Sequence, residues 1–144
     1  MKYIVLFSAI FFSAIWGNMA AQDLSKHQWK NRVILLLTDD TSNSTFQNQL
    51  TAFKNDIDGM DERKLIVYKI TPEKYSVGLE NKNVGTPSKI YSDYKRSKAS
   101  FEIFLIGLDG GIKLHQTKLL SIEKLFAIID GMPMRRAEIN QSKN

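Results

Sequence analysis

The chain has 144 residues, 43% of them hydrophobic and 24% charged, a size and balance that suit one globular domain and leave little room for a second. It contains no cysteine, which excludes structural disulfides, thiol nucleophiles, CxxC redox pairs and lipid attachment at a leader cysteine. The formal net charge of +5 is scattered, with acids between the bases, a pattern of ordinary solubility rather than of a nucleic-acid-binding stripe.

The first segment is predicted to be an export signal rather than fold. Lys2 supplies a basic start, "YIVLFSAIFFSAIW" is an uncharged apolar run, and "GNMAAQ" offers the small residues that a signal peptidase accepts. The run falls short of the roughly 20 apolar residues that span a bilayer. Residues 1–22 are therefore expected to be removed, leaving no transmembrane segment, a net charge of +4 after loss of Lys2, and a periplasmic or extracellular protein. A domain is expected over 23–139, and the polar end of "RRAEINQSKN" as a fraying tail, disordered over 140–144.

"RVILLLT", from Arg32 to Thr38, is apolar without alternation, as a strand buried on both faces should be, and it is predicted to be central. Phe46, Leu50, Phe53 and Ile57 then recur at helical spacing. Ser44 with Gln47 predicts a capping box at the start of that helix, and Gly59 its stop. "KLIVYKI", Lys64 to Ile70, reads as a second strand, so that strand, helix and strand form a parallel crossover. From Thr71 to Ser100 the chain reads as a long polar loop, with a short helix capped by Ser88 whose Ile90, Tyr91 and Tyr94 share a face. In "FEIFLIGLDGGIKLHQT" two apolar stretches flank Asp109, Gly110 and Gly111, which predicts an antiparallel hairpin. A last helix is expected over "LSIEKLFAIID", capped by Ser121 and ended by Gly131 and Pro133.

This element order is that of a thioredoxin-like domain. "FEIFLIGLDGGIKL" (Phe101 to Leu114) and "LFAIIDGMPMRRAEI" (Leu125 to Ile139) further resemble the signature of the family catalogued as domain of unknown function 4174. Its module also resembles domains of vertebrate secreted coiled-coil-domain-containing and sushi-repeat-containing proteins. The resemblance extends to "HQWKNRVILLLT" and "RKLIVYKI". It implies an α/β, thioredoxin-like fold with a mixed four-stranded sheet flanked by helices, and it brings no catalytic residue and no cofactor. Where such proteins usually carry a basic residue in "LIGxDG", this chain has Leu108, which takes a charge off the hairpin.

In a thioredoxin-like domain the reactive cysteines lie where the first strand meets the first helix, which here is "TDDTSN". Thiol-disulfide exchange needs a thiolate, and no arrangement of Thr38, Asp39, Asp40, Thr41, Ser42 and Asn43 supplies one. Those residue types are ordinary helix caps. The sharper reading makes Asp39 and Asp40 ligands of Mg²⁺ or Ca²⁺, hard ions that prefer carboxylate oxygen. His27 and His115 are isolated and form no zinc pattern; His115 is expected on an exposed sheet face or edge. Trp29 and Tyr68 are expected to be packing aromatics. Arg135 and Arg136 in "MPMRR" could hold sulfate, phosphate or carboxylate groups bidentately; the competing reading has Met132 and Met134 packed beneath a helix end whose carbonyls the arginines neutralise. The function expected is a non-catalytic binding or structural module with a protein or cell-envelope polyanion as partner and no nucleic acid; the alternative is a divalent-cation-dependent binder or enzyme using Asp39 and Asp40.

Overall fold

A computed structural model describes residues 24–80, 83–85 and 89–144. The leader (1–22) and Ser88, expected to cap a helix, lie outside those residues. Six strands form one sheet: β1 (Arg32–Thr38), β2 (Leu65–Ile70), β3 (Tyr75–Val77), β4 (Asn83–Gly85), β5 (Phe101–Ile106) and β6 (Ile112–Gln116), in spatial order β4-β3-β2-β1-β5-β6. The helices are α1 (Ser44–Lys54), α2 (Ile57–Glu62), α3 (Ile90–Tyr94), α4 (Ile122–Asp130) and α5 (Pro133–Ser142).

β1 occupies the interior position that its unbroken apolar run requires, with every residue buried. It pairs in parallel with β2, Arg32 opposite Leu65, and antiparallel with β5, Thr38 opposite Phe101. Alternation along β1 divides the core in two. Ile34 and Leu36 face Phe46 and Phe53 of α1, Met60 of α2 and Leu125 and Ile129 of α4. Val33, Leu35 and Leu37 face the other way, among Tyr68, Ile70, Phe104, Ile90 of α3 and Leu24. Each such side chain removed from water contributes about 1.5–3 kcal/mol, so the two layers hold the sheet between them.

The β5–β6 hairpin forms as expected. Gly110 takes the positive φ of +82° that its turn demands, Asp109 accepts the Gly111 N–H at 2.9 Å, and Lys113 pairs with Asp109 at 2.8 Å. Leu108 is buried, and its carbonyl accepts the Trp29 N–H at 2.7 Å.

Several local expectations are corrected. The sheet has six strands rather than four, because β3 and β4, three residues each, lie within the segment read as loop; strands so short and polar carry no periodic signal. Asn43, not Ser44, caps α1 by accepting the Phe46 N–H, and Gln47 bonds the Thr41 carbonyl instead of closing a box. The helix does not run to Gly59: α1 ends at Lys54 and α2 restarts under an Asp56 cap. Ser121 does cap α4. The tail is helical to Ser142, since Pro133 at the first turn starts a new helix after Gly131 ends α4. Trp29 is 62% exposed rather than packed; its φ of +65° turns the chain there, and the side chain follows the turn outward.

Candidate functional site

The candidate residues after β1 sit at the pole of the sheet where β1 ends and β5 begins. Thr38 is buried, and its hydroxyl lies 2.7 Å from the Asp40 carbonyl and 3.0 Å from that of Ser100, to one of which it donates while accepting the Asp40 N–H. Asp40 is exposed and accepts the backbone N–H of Ser42 at 2.8 Å and the Ser42 hydroxyl at 2.7 Å. Those two bonds, the backbone one first, hold its carboxyl below the usual carboxylate range. Asn43 caps α1 and donates from its Nδ2 to the Ser100 hydroxyl. The junction is thus tied down from within, by the short-range Asp, Ser and Asn bonds that favour turns and caps.

Asp39 turns elsewhere. Its carboxylate accepts the Tyr91 hydroxyl of α3 and lies 4.0 Å from the Lys95 ammonium, and its side chain stays 52% exposed. Burial, the bond to Asp39 and the neighbouring negative charge push the Tyr91 phenol up to about 12, so it remains a donor at neutral pH. Lys95 also reaches the Ala99 carbonyl and, at 3.3 Å, the carboxylate of Glu102.

Glu102 is the centre of this pole. It is fully buried on β5 beside Leu37, and it accepts the Ser97 N–H at 3.0 Å, the Ser97 hydroxyl at 3.1 Å, the Arg96 N–H at 3.3 Å and His115 Nε2 at 2.6 Å. Burial alone raises a carboxyl pKa, but the Ser97 N–H, His115, the Ser97 hydroxyl and the Arg96 N–H together outweigh it and hold Glu102 below its ordinary value. His115 lies on edge strand β6, as expected, yet it is not idle: its ring stacks on Phe104 with centroids 4.3 Å apart. With Nε2 on Glu102, its Nδ1 has no partner among the described residues, and the side chain is 32% exposed. A carboxylate on one imidazole nitrogen fixes the ring and aims the other nitrogen.

The pole therefore offers ligands a carboxylate, a phenol, an ammonium group and an oriented imidazole, and no thiolate. Sequence reading found Asp39 and Asp40 here but missed Glu102, Tyr91 and Lys95. Glu102 had a signal, because an acid inside the otherwise apolar "FEIFLI" is buried only when paired. Among the described residues no three His, Cys, Asp or Glu side chains come together as a metal site, so an ion at Asp39 and Asp40 would be completed by water.

Arg135 meets the protein's own acids rather than solvent. It is 5% exposed, with Nε 3.2 Å from Asp130, Nη1 3.3 Å from Glu138 and Nη2 on Glu62. These carboxylates, together outweighing burial, raise its pKa further. Three neighbouring acids compete for one guanidinium, and the spacing of "MPMRR" gives no sign of them. Arg136 is exposed; Met132 packs partly against the core while Met134 is 41% exposed. His27 accepts from Asn31 and bonds the buried Tyr68 hydroxyl at 2.7 Å, a structural role. No described helix is long and apolar enough to cross a membrane.

Residues 23–138 match the family described as "Domain of unknown function (DUF4174)". No curated protein matches the chain. Among solved structures it is similar to the reduced 2-Cys peroxiredoxin of Plasmodium vivax, with a TM-score of 0.56 and 16% identity over 80% of this chain and 83% of that one. It is also similar to the mitochondrial 2-Cys peroxiredoxin of Plasmodium falciparum, with a TM-score of 0.53 and 13% identity over 84% of each chain. At such identities the likeness is one of fold: a thioredoxin-like α/β domain, here without any cysteine.

Proposed function

We propose that this chain, which belongs to the DUF4174 family, is an exported, non-catalytic binding module on a thioredoxin-like scaffold. The observation that carries this reading is the strand-helix junction. Where thiol chemistry would need a thiolate, Thr38, Asp40 and Asn43 spend their polar groups on bonds within the junction and to Ser100, and no cysteine exists elsewhere. Export is supported by Lys2, the apolar run after it and the small residues before Gln22. The partner fitting an exported, mildly basic domain is a protein or a cell-envelope polyanion.

The purified protein is expected neither to consume peroxide nor to reduce insulin disulfides; either activity would overturn the reading. Amino-terminal sequencing of protein recovered from the periplasm or medium should begin near Gln22, and an intact Met1 would refute export by signal cleavage.

The exposure of Asp39 and Asp40 favours a second reading, a site for Ca²⁺ or Mg²⁺. On the first reading these ions leave the melting temperature unchanged. A rise that disappears in the Asp39→Asn, Asp40→Asn variant would establish the second instead.

A further inference from the structure

The other end of β1 holds a second charged cluster, which the reading above does not use. Arg32 opens the strand on the face of Ile34 and Leu36 and is fully buried. Its Nη1 donates to the Arg63 carbonyl at 3.0 Å and to the two Glu138 oxygens at 3.3 and 3.4 Å. Its Nε and Nη2 are buried without a hydrogen-bond partner among the described residues. The same carboxylate takes Arg135 Nη1 at 3.3 Å and lies 3.8 Å from the Lys64 ammonium. One carboxylate thus faces three cations.

The neighbouring acids are already engaged. Arg63 clamps Asp130 with Nε at 3.0 Å and Nη2 at 2.6 Å, and Arg135 shares Asp130 and holds Glu62. Among the described residues the carboxylates that Arg32, Arg63, Lys64 and Arg135 meet are those of Glu62, Asp130 and Glu138. A guanidinium suits acceptors that engage two of its nitrogens at once, and buried charged donors left without acceptors are costly. Glu138 reaches Arg32 through a single nitrogen and carries one charge. A tetrahedral oxyanion brings more acceptor oxygens and, as phosphate or sulfate, up to two charges.

We propose that Arg32, Lys64 and Arg135 form a binding site for a phosphate or sulfate group, in which the Glu138 carboxylate is an internal competitor. Glu138 is placed for that exchange. Its side chain is 19% exposed and lies beside that of Lys64, 54% exposed, at the mouth of the cluster. Rotating it into solvent opens the site without moving α5, which Arg135 keeps anchored through Glu62 and Asp130. The site lies a strand length from the Asp39 junction that carries the proposed function, so its failure would count against a polyanion partner and leave the non-catalytic, protein-binding reading standing.

The test is thermal unfolding of the purified protein against inorganic phosphate and, separately, a heparin-type sulfated oligosaccharide, each beside sodium chloride at equal ionic strength. A saturable rise above the chloride control is expected in at least one arm, and the arm that gives it identifies the source of the oxyanion. Glu138→Gln should tighten that ligand by about tenfold, since an internal competitor lowers apparent affinity by the fraction of sites it leaves open. Arg32→Lys should abolish the rise. Should that variant fail to fold, Lys64→Asn, at an exposed position whose φ of +53° asparagine tolerates, should weaken binding, and the Arg32 Nε resonance should move on titration. No rise above chloride in either the natural protein or Glu138→Gln would overturn the proposal, as would a rise that Lys64→Asn leaves unchanged.

Discussion

Removing the Glu102 carboxylate is the most informative perturbation of the Asp39 pole. In Glu102→Ala the backbone N–H groups of Arg96 and Ser97 lose their acceptor, and Lys95, 18% exposed, loses its buried counter-charge. The Ser97 hydroxyl and His115 lie nearer the surface and can turn to water, so they add little. Two unmet N–H groups and a broken buried ion pair cost about 3–5 kcal/mol, a large share of the 5–15 kcal/mol typical of a domain. Urea unfolding followed by far-ultraviolet circular dichroism measures the loss. A change under about 1 kcal/mol would show that the loop from Lys95 to Ser100 does not depend on this carboxylate. The same variant tests a pH effect. Glu102 is held below its ordinary 4.5, so its contribution is complete above about pH 4.5 and disappears as pH falls through the folded-state value. Acid unfolding of the natural protein should therefore steepen below pH 4.5, and Glu102→Ala should flatten that limb. Asp130, also lowered because its bonds to Arg63 and Arg135 outweigh its burial, leaves a residual slope in both proteins.

Gln49 is fully buried and spans Leu120 with both amide atoms, 2.9 Å to its carbonyl and 2.7 Å from its N–H; Gln49→Leu should cost about 2–4 kcal/mol by denaturant titration, since it leaves the Leu120 carbonyl and N–H both unmet. Gly59→Ala should cost about 1–3 kcal/mol, because an added Cβ would come within 2.6 Å of the Phe126 ring, over which the Arg63 guanidinium lies at 3.9 Å; a neutral result would mean that ring moves freely. Trp29→Asn should raise stability by about 0.5–1 kcal/mol, since asparagine adopts positive φ more readily; a lower melting temperature would show instead that the exposed indole packs on the hairpin.

Sequence alone determined the sheet interior, the parallel crossover, the hairpin and the α4 cap. Each is local: an unbroken apolar run, an apolar stripe or an Asp-Gly-Gly turn limits how the segment buries its surface and bonds its backbone, and Ser121 caps α4 as its offset predicts, although at α1 the adjacent Asn43 takes that role from Ser44. It also determined the lack of thiol chemistry, a matter of composition. Tertiary structure decided the rest. β3 is a strand because β2 offers it an edge, and β4 because β3 in turn offers one, not because three residues prefer to be extended. α5 is a helix in a segment that reads as a tail because charges rather than an apolar stripe fix it, and Arg32 meets Glu138 across 106 positions. The polar cluster of Asp39, Tyr91, Lys95, Glu102 and His115 comes from four separate stretches of chain. A carboxylate is read as buried and functional only when its partners are known, and folding alone brings those partners together.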